Sequence, residues 1–421
     1  MSLRSPSPPL SELTPRQIRW IAGGFASMFA SLGGQTVFIA LFGAAIREEF
    51  GLSPGEYGLL YTLATLGSAV CLVWAGTLVD RFSARRIAVA SVAGLSLVAV
   101  IMAGANSAVI LVLALFGLRF FGQGMLSHNS ATAMSRWFNR FRGRALAFSQ
   151  LGFATGEAVL PIVVALGIAV LGWRQVWLAS AAVLMCLLAP LLWWCFRDPP
   201  DGARARARGE ANPDGETSGV RSGSHWTRRR VLADPLFWCL LAGIIAMPAI
   251  STAIFFHQTT LVAEKGWNPI AFAASFPVLA LTSVLASLVA GWLVDQFGAW
   301  RLLPAFLLPL CAASLVLWLG QPELTIPLFF LLMGISGGMA NATVNAVLAE
   351  IYGTAHLGAI RALVTATMVL ASALGPGIVG VLIDAGLPLA TQAPGFALYG
   401  VAVSALYFLL TPRLSARIRS L

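Results

Sequence analysis

Charged residues are scarce in this chain: only 10% of its 421 residues are charged, whereas 58% are hydrophobic. Soluble domains contain about 25% charged residues, so a chain with so few of them cannot cover a water-facing surface. Most of its surface is therefore expected to face lipid. The 41 glycines agree with this interpretation, because small residues let membrane helices approach each other closely.

Several residue patterns that carry chemistry are also missing. The sequence has no Ser-His-Asp arrangement, no metal-ligand spacing among its four histidines and five cysteines, and no phosphate-binding loop. We therefore expect neither an enzyme nor a metal or cofactor site, and no ATP-driven motor of its own. A transporter-like sensor is the alternative from a different class, but such a sensor should carry a soluble output domain, for which the sequence offers no candidate.

Twelve apolar runs are each compatible with a membrane crossing, which takes ~20 predominantly apolar residues. Residues 197–230 are rich in Arg, Gly, Asp and Ser and divide these runs six and six. The predicted organisation is an N-terminal six-helix bundle at 1–196, a cytoplasmic linker at 197–234 and a C-terminal six-helix bundle at 235–421. The runs lie at roughly 19–45, 56–78, 87–105, 109–134, 145–170, 175–196, 235–262, 269–294, 302–319, 326–350, 360–383 and 394–411.

The positive charges predict the orientation. With both termini inside, the cytoplasmic segments carry 23 of the 27 Lys and Arg residues, and the outer loops carry only Arg47, Arg174 and Lys265. Such a bias is the positive-inside rule. The formal net charge of +10 is thus a topology signal and does not point to nucleic acid. We expect a monomeric, multi-pass protein of the inner cell membrane that retains its first apolar run.

The two halves share a repeated segment. Residues 76–86 read GTLVDRFSARR and residues 291–301 read GWLVDQFGAWR, so seven of eleven positions are identical at an offset of 215. Each copy lies at the predicted cytoplasmic end of the second helix of its half. The repeat indicates a duplicated architecture.

The first copy of this segment resembles the signature that the major facilitator superfamily carries between its helices 2 and 3. The resemblance implies an all-α membrane protein of twelve helices in two pseudo-symmetric six-helix bundles, a central substrate cavity and alternating access. It covers the whole chain, from helix count and linker to both halves. Two further similarities are Arg119 with Gly122 and Gly124 in helix 4, and Gly375-Pro376 in helix 11.

The repeated segments also predict a cytoplasmic gate. A carboxylate at the end of helix 2 favours the positive N-terminus of a neighbouring helix, and arginines there can hydrogen-bond carboxylates or carbonyls of the opposite half. The alternative is that these arginines only anchor the topology at the anionic leaflet. The predicted gate residues are Gly76, Asp80, Arg81, Arg85 and Arg86 in the first copy, and Asp295 and Arg301 in the second.

Charges within membrane spans are costly and mark functional sites by default. Arg119 in helix 4 and Glu157 in helix 5 are predicted at similar depth, so an ion pair between them is expected either to respond to protonation or to be permanent and structural. The first option makes Glu157, with Arg119, the predicted proton-coupling site. The predicted cavity residues are Gln35, Arg119, Gln123, Glu157, His257, Gln258, Asn341 and Asn345, each of which could instead bridge helices.

The substrate is less sharply indicated. Residues 137–147 leading into Gly152 and Gly156 are similar to the helix 4–5 region of the monocarboxylate and oxalate porters. Those porters hold a carboxylate with basic residues in the C-terminal half, whereas helices 8 and 11 here carry none within the bilayer. Arg119 alone would have to bind an anion, which disfavours a dicarboxylate and leaves a monocarboxylate or a largely neutral solute. The alternatives are efflux of drugs or metabolites by proton antiport, and uptake of a heteroaromatic vitamin such as riboflavin. The expected partners are a small-molecule substrate, a proton and the lipid bilayer.

Overall fold

The computed structural model describes residues 13–138, 142–200, 226, 228–353 and 356–419. In this part of the chain all regular structure is helical, and no strand is present. The described residues divide into two compact units: the first comprises Met1–Phe42 and Leu63–Gly215, and the second Gly43–Thr62 and Glu216–Leu421. The predicted all-α class is confirmed. The predicted linker falls largely on residues 201–225, and Arg140, one of the arginines predicted to be cytoplasmic, falls on 139–141; both ranges lie outside the described residues.

Three helices of the first unit begin at short polar residues whose side chains accept from free backbone N–H groups. Thr14 forms a reciprocal capping box with Gln17, and Ser83 and Ser107 cap the helices that follow them. The helices down to residue 200 are α1 (Pro15–Ser31), α2 (Thr36–Ala40), α3 (Gly43–Phe50), α4 (Pro54–Ala75), α5 (Leu78–Arg81), α6 (Ala84–Ala103), α7 (Ala108–Gly117), α8 (Ser127–Trp137), α9 (Arg142–Leu171), α10 (Trp173–Val183) and α11 (Ala189–Cys195). Of these, α3 and the start of α4 belong to the second unit.

Two helix starts in the second unit combine a capping side chain with a proline in the first turn. Asp234 accepts from the Leu236 N–H and Asn268 from the Ile270 N–H, and each is followed directly by proline. The remaining helices are α12 (Arg228–Leu232), α13 (Pro235–Phe256), α14 (Gln258–Lys265), α15 (Pro269–Ala273), α16 (Phe276–Phe297), α17 (Ala299–Leu302), α18 (Leu308–Leu319), α19 (Thr325–Tyr352), α20 (Leu357–Asp384) and α21 (Leu389–Arg419).

Ten helices in the described residues are long and apolar enough to cross a membrane. The two other predicted runs are shorter or interrupted. The run at 19–45 breaks into α1, a 3-10 turn and α2, because two consecutive glycines and an extended Gln35 stop the helix. The run at 302–319 is helical throughout only over Leu308–Leu319. Large apolar side chains stay exposed on the surface, among them Val170 at 80% and Leu409 at 74%, as a lipid-facing surface requires.

The segment Gly43–Thr62 packs within the second unit. The Thr62 hydroxyl donates to the Ala373 carbonyl at 2.7 Å, and the Ser53 hydroxyl donates to the Asp384 carboxylate at 2.6 Å. Gly58 lies so close to α20 that an added Cβ would be 3.0 Å from the Pro376 carbonyl carbon. A stretch that the sequence assigns to the first bundle therefore shares its core with helices of the second.

Candidate functional site

The first helical run is interrupted where it meets the fourth. Leu32–Gly34 is a 3-10 turn, and Gln35 is extended with φ −84° and ψ 151°; we call these four residues the helix break. Against it lies Leu118–Leu126, which is π-helical, a rare form found frequently at functional sites. A Cβ on Gly122 would lie 2.6 Å from the Gly34 Cα, so this approach requires a glycine.

Arg119 lies in the π-helical segment and is buried, with 2% of its surface exposed. Its Nη1 donates to the Gly34 carbonyl at 3.1 Å and to the Thr36 hydroxyl at 3.4 Å. The last carbonyls of an interrupted helix have no intrahelical partner, so the break supplies acceptors for the guanidinium. A hydrogen bond to a charged group contributes about 1.5–3 kcal/mol, and a charged group left without hydrogen bonds in lipid would cost more than that.

Gln123 joins the same site through its backbone. A Cβ on Gly34 would lie 2.7 Å from the Gln123 nitrogen, and the side chains of Gln35 and Gln123 are both half-buried. Of the predicted cavity residues, the structure thus brings Gln35, Arg119 and Gln123 together around the helix break. The sequence placed Arg119 and Gln123 on one face of a helix, but nothing in it indicated the π-helical turn that presents them.

Glu157 approaches the helix break from α9. Its neighbour Gly156 lies against Leu32, where an added Cβ would be 2.8 Å from Leu32 Cδ2, and Glu157 itself is half-buried. The ion pair expected between Arg119 and Glu157 is not seen among the described residues. The physical reason is that the helix break offers Arg119 nearer acceptors, which leaves the carboxyl without a cationic partner in this conformation.

His257 and Gln258 lie at the junction of α13 and α14, within the second unit. Both are 2% exposed, and His257 Nε2 is 2.8 Å from the Pro376 carbonyl. Because a carbonyl only accepts, Nε2 carries the proton of the imidazole. The adjacent Phe256 lies between the rings of Tyr57 and Tyr61, at centroid distances of 4.9 and 4.4 Å. In this conformation these two predicted cavity residues are part of a buried contact between α4, α13 and α20.

Asn341 and Asn345 are exposed on α19, one helical turn apart. Asn345 Nδ2 donates to the Asn341 carbonyl at 2.7 Å and to Asn341 Oδ1 at 3.1 Å. Arg361, which the charge pattern assigned to the cytoplasmic anchors, donates from Nη2 to the Asn345 carbonyl at 2.8 Å. The structure therefore adds a cation to these two predicted cavity residues, and the 16-residue separation from Asn345 gave no hint of it.

The first copy of the repeated segment forms an ion pair within its own unit. Arg136, at the end of α8, pairs with the Asp80 carboxylate and also reaches the Val79 carbonyl at 3.4 Å. Arg85 lies 4.2 Å from the centre of the Trp193 ring, a cation–π contact. Gly76 lies beside α8, where a Cβ would be 3.7 Å from His128 Nε2. Arg81 and Arg86 are exposed, as expected of residues free to reach another surface.

The second copy is built differently. Asp295 is exposed, and Arg301 lies 4.9 Å from the Trp300 ring centre. Glu350, at the end of α19, accepts from the backbone nitrogens of Ala299 at 2.8 Å and Trp300 at 3.2 Å. The repeat offset of 215 relates Arg136 to Ile351, which is one residue from Glu350. The first half therefore has an arginine that pairs with Asp80 where the second half has a carboxylate that caps a helix. The repeat offset is the sequence signal that could have identified both residues.

A broken helix around a buried arginine fits a solute carrier. Comparison of the chain with known protein families identifies its family. The family model of the Major Facilitator Superfamily matches residues 24–376 and 278–421. The chain belongs to the Major Facilitator Superfamily. It is therefore an integral, multi-pass membrane protein of a transporter family, as the sequence predicts.

Relatives and solved structures agree with this class. The cis,cis-muconate transport protein of Acinetobacter baylyi is 25% identical over 262 residues, 60% of each chain. The gallate transporter of Pseudomonas putida is 27% identical over 181 residues, 42% of this chain and 39% of the relative. The multidrug resistance protein B homolog of Mycobacterium tuberculosis is 32% identical over 149 residues, 35% and 27%. The matches thus span less than two thirds of these relatives' lengths.

A solved structure shares the fold over nearly its whole length. A bacterial homolog of the human lysosomal transporter Spinster has a TM-score of 0.68 at 17% identity and covers 97% of this chain and 98% of that one. The predicted major facilitator fold is confirmed.

Proposed function

We propose that this chain is a proton-coupled secondary transporter that carries a small organic anion, with a monocarboxylate as the best candidate, across the inner membrane by alternating access. Both termini are placed in the cytoplasm by the distribution of Lys and Arg. The observation that carries the anion assignment is the buried Arg119, a permanent cation fixed at the helix break by Gly34 and Thr36. Its planar fork of donors suits a carboxylate.

The names of two relatives support the same substrate class. Muconate and gallate are organic acids, and both relatives match parts of this chain. In this proposal Glu157 carries the coupling proton, since it follows Gly156, which packs against Leu32 of the helix break.

Multidrug efflux is the second candidate, because one relative is named as a multidrug resistance protein. An aromatic stacking site of Phe255, Phe256 and Phe276 would suit such substrates or a flavin. All three rings are at most 5% exposed: Phe255 packs against Phe276, and Phe256 packs against Tyr57 and Tyr61. The organic anion is therefore preferred to a large aromatic solute.

The test is flux into proteoliposomes that contain the purified full chain, with and without a pH gradient. Gallate, benzoate and cis,cis-muconate are the anionic probes, ethidium is the drug probe and riboflavin the vitamin probe. Saturable uptake of a carboxylate that is driven by a proton gradient is expected. Transport of ethidium or riboflavin with none of the acids carried would replace the proposal, and ligand-induced stabilisation without any flux would favour a sensor.

A further inference from the structure

We propose that Asn341, Asn345 and Arg361 form a second carboxylate-binding site, at the predicted cytoplasmic end of the second unit, that receives the anion on the inner side of the membrane. The inference rests on the proposed function and extends it, because it concerns residues of the opposite bundle from Arg119. We call these three residues the inner ladder.

The inner ladder is a connected set of polar groups. Arg361 donates from one nitrogen to the Asn345 carbonyl at 2.8 Å, and the Asn345 amide donates to Asn341 at 2.7 and 3.1 Å. An arginine has five N–H donors, so several remain for a ligand. Within the described part of the chain, no carboxylate lies within 4.0 Å of the Arg361 guanidinium.

The depth of these residues argues against a purely lipid-facing role. Asn341 lies eleven residues before the end of α19 at Tyr352. At ~1.5 Å per residue, this is ~16 Å, about half the ~30 Å thickness of a bilayer core. An exposed amide at that depth must face water or protein, because lipid cannot satisfy it.

Arg361 continues the same path toward the membrane surface. It lies four residues after the start of α20 at Leu357, which is ~6 Å from that helix end. Its hydrogen bond to α19 holds the guanidinium toward the asparagines. The ladder therefore runs from a cation near the inner surface to an uncharged amide donor at mid-membrane. This order suits an anion, which would first bind the charged Arg361 and then move on to the uncharged amide donors of the asparagines.

A carboxylate is the ligand class that fits these groups. The guanidinium offers paired donors with fixed geometry, and the amide of the exposed Asn341 can add hydrogen bonds without a second charge. A metal cation would be repelled by Arg361. A lipid phosphate is the competing anion, and the lipid composition of the vesicles separates the two sources.

The experiment compares KM at the two membrane faces for Arg361→Gln, using gallate as the probe in right-side-out and inside-out vesicles of neutral phosphatidylcholine. We expect KM on the predicted cytoplasmic face to rise roughly tenfold or more, since a charge-assisted hydrogen bond is lost, while KM on the outer face changes less than threefold. Asn341→Asp, which places a negative charge on the ladder, should have the same sidedness. Arg361→Lys should recover part of the affinity.

Arg229→Gln is the matched control. It removes one positive charge from an exposed position of the same unit, on the same predicted side. Equal KM changes at both faces, or a change no larger than that of Arg229→Gln, would overturn the inference. An Arg361 effect that appears only when phosphatidylglycerol is added would identify a lipid anchor and overturn it as well.

Failure of the proposed function is a separate outcome. In that case the wild-type chain carries neither gallate nor any other acid of the panel. Failure of the inner ladder alone leaves wild-type transport saturable and sensitive to Arg119 but indifferent to Arg361. Variants that lose flux are first checked for a single symmetric peak in size-exclusion chromatography and for a wild-type melting temperature. If Arg361→Gln does not fold, the KM comparison at the two faces is made with Arg361→Lys.

Discussion

The Arg119 guanidinium donates to the Gly34 carbonyl at 3.1 Å, so a cation of the fourth helical run is held by the break in the first. The contact depends on two irregularities at once, a 3-10 turn followed by extended backbone and a π-helical turn. A straight helix would use the Gly34 carbonyl in its own ladder. The buried charge and the helix break therefore stabilise each other.

Replacing this arginine tests the anion site. For Arg119→Gln we expect carboxylate uptake to fall by about two orders of magnitude, because the cation that pairs with the substrate is removed. Arg119→Lys should recover only part of the rate, since an ammonium lacks the planar fork. Thr36→Val, which removes the hydroxyl that accepts from Arg119 at 3.4 Å, should stay within a fewfold of wild type. Unchanged uptake by Arg119→Gln would contradict the anion assignment.

Glu157 is expected to set the pH dependence of transport. In wild type, an acidic outer solution should raise uptake, because protonation of the carboxyl accompanies the substrate. Glu157→Gln mimics the protonated group permanently, so its uptake should no longer respond to the pH gradient, whereas exchange of substrate across the membrane should persist. Glu48→Gln, at an exposed carboxylate outside the spans, is the control. A gradient response that survives Glu157→Gln would exclude this residue as the proton carrier.

The two copies of the repeated segment should respond unequally to mutation. Asp80 pairs with Arg136, whereas Asp295 is exposed and, among the described residues, makes no salt bridge. Asp80→Asn should lower the maximal rate several-fold, and Asp295→Asn should change it less than twofold. Initial rates at saturating substrate in proteoliposomes measure both. Equal losses would show that the ion pair with Arg136 is not what distinguishes the two copies.

The close approach at the helix break predicts a stability effect. Gly122→Ala places a methyl group 2.6 Å from the Gly34 Cα, and overpacking of this kind costs about 1–3 kcal/mol. The melting temperature of the purified protein should fall by several degrees. Gly395→Ala is the matched control, because a Cβ there meets no atom within 4 Å and alanine favours the helix. A melting temperature of Gly122→Ala equal to that of the control would mean that the two helices can separate freely.

How far the site could be predicted is clear from individual residues. Arg119 can be predicted as a functional residue because a charge in an apolar run is costly. Asp80 can be predicted because it lies in the repeated segment. The sequence predicts Glu157 as the partner of Arg119, because the rise per residue places both side chains at a similar depth in the membrane. The observed partners are a backbone carbonyl and a hydroxyl, and a sequence carries no signal for which carbonyl a helix break will expose.

The sequence alone determined that the chain spans a membrane, that its two halves are related and that arginines dominate one predicted face, because hydropathy, repetition and charge are properties of residues in order. The tertiary structure decided which groups meet. It pairs Arg136 with Asp80, lets Glu350 accept from the backbone at the start of a helix, and brings Arg361 within hydrogen-bond distance of the Asn345 carbonyl. Such contacts depend on how helices distant in sequence pack and rotate against each other, and small residues such as Gly34 and Gly122 allow that packing without indicating its partner.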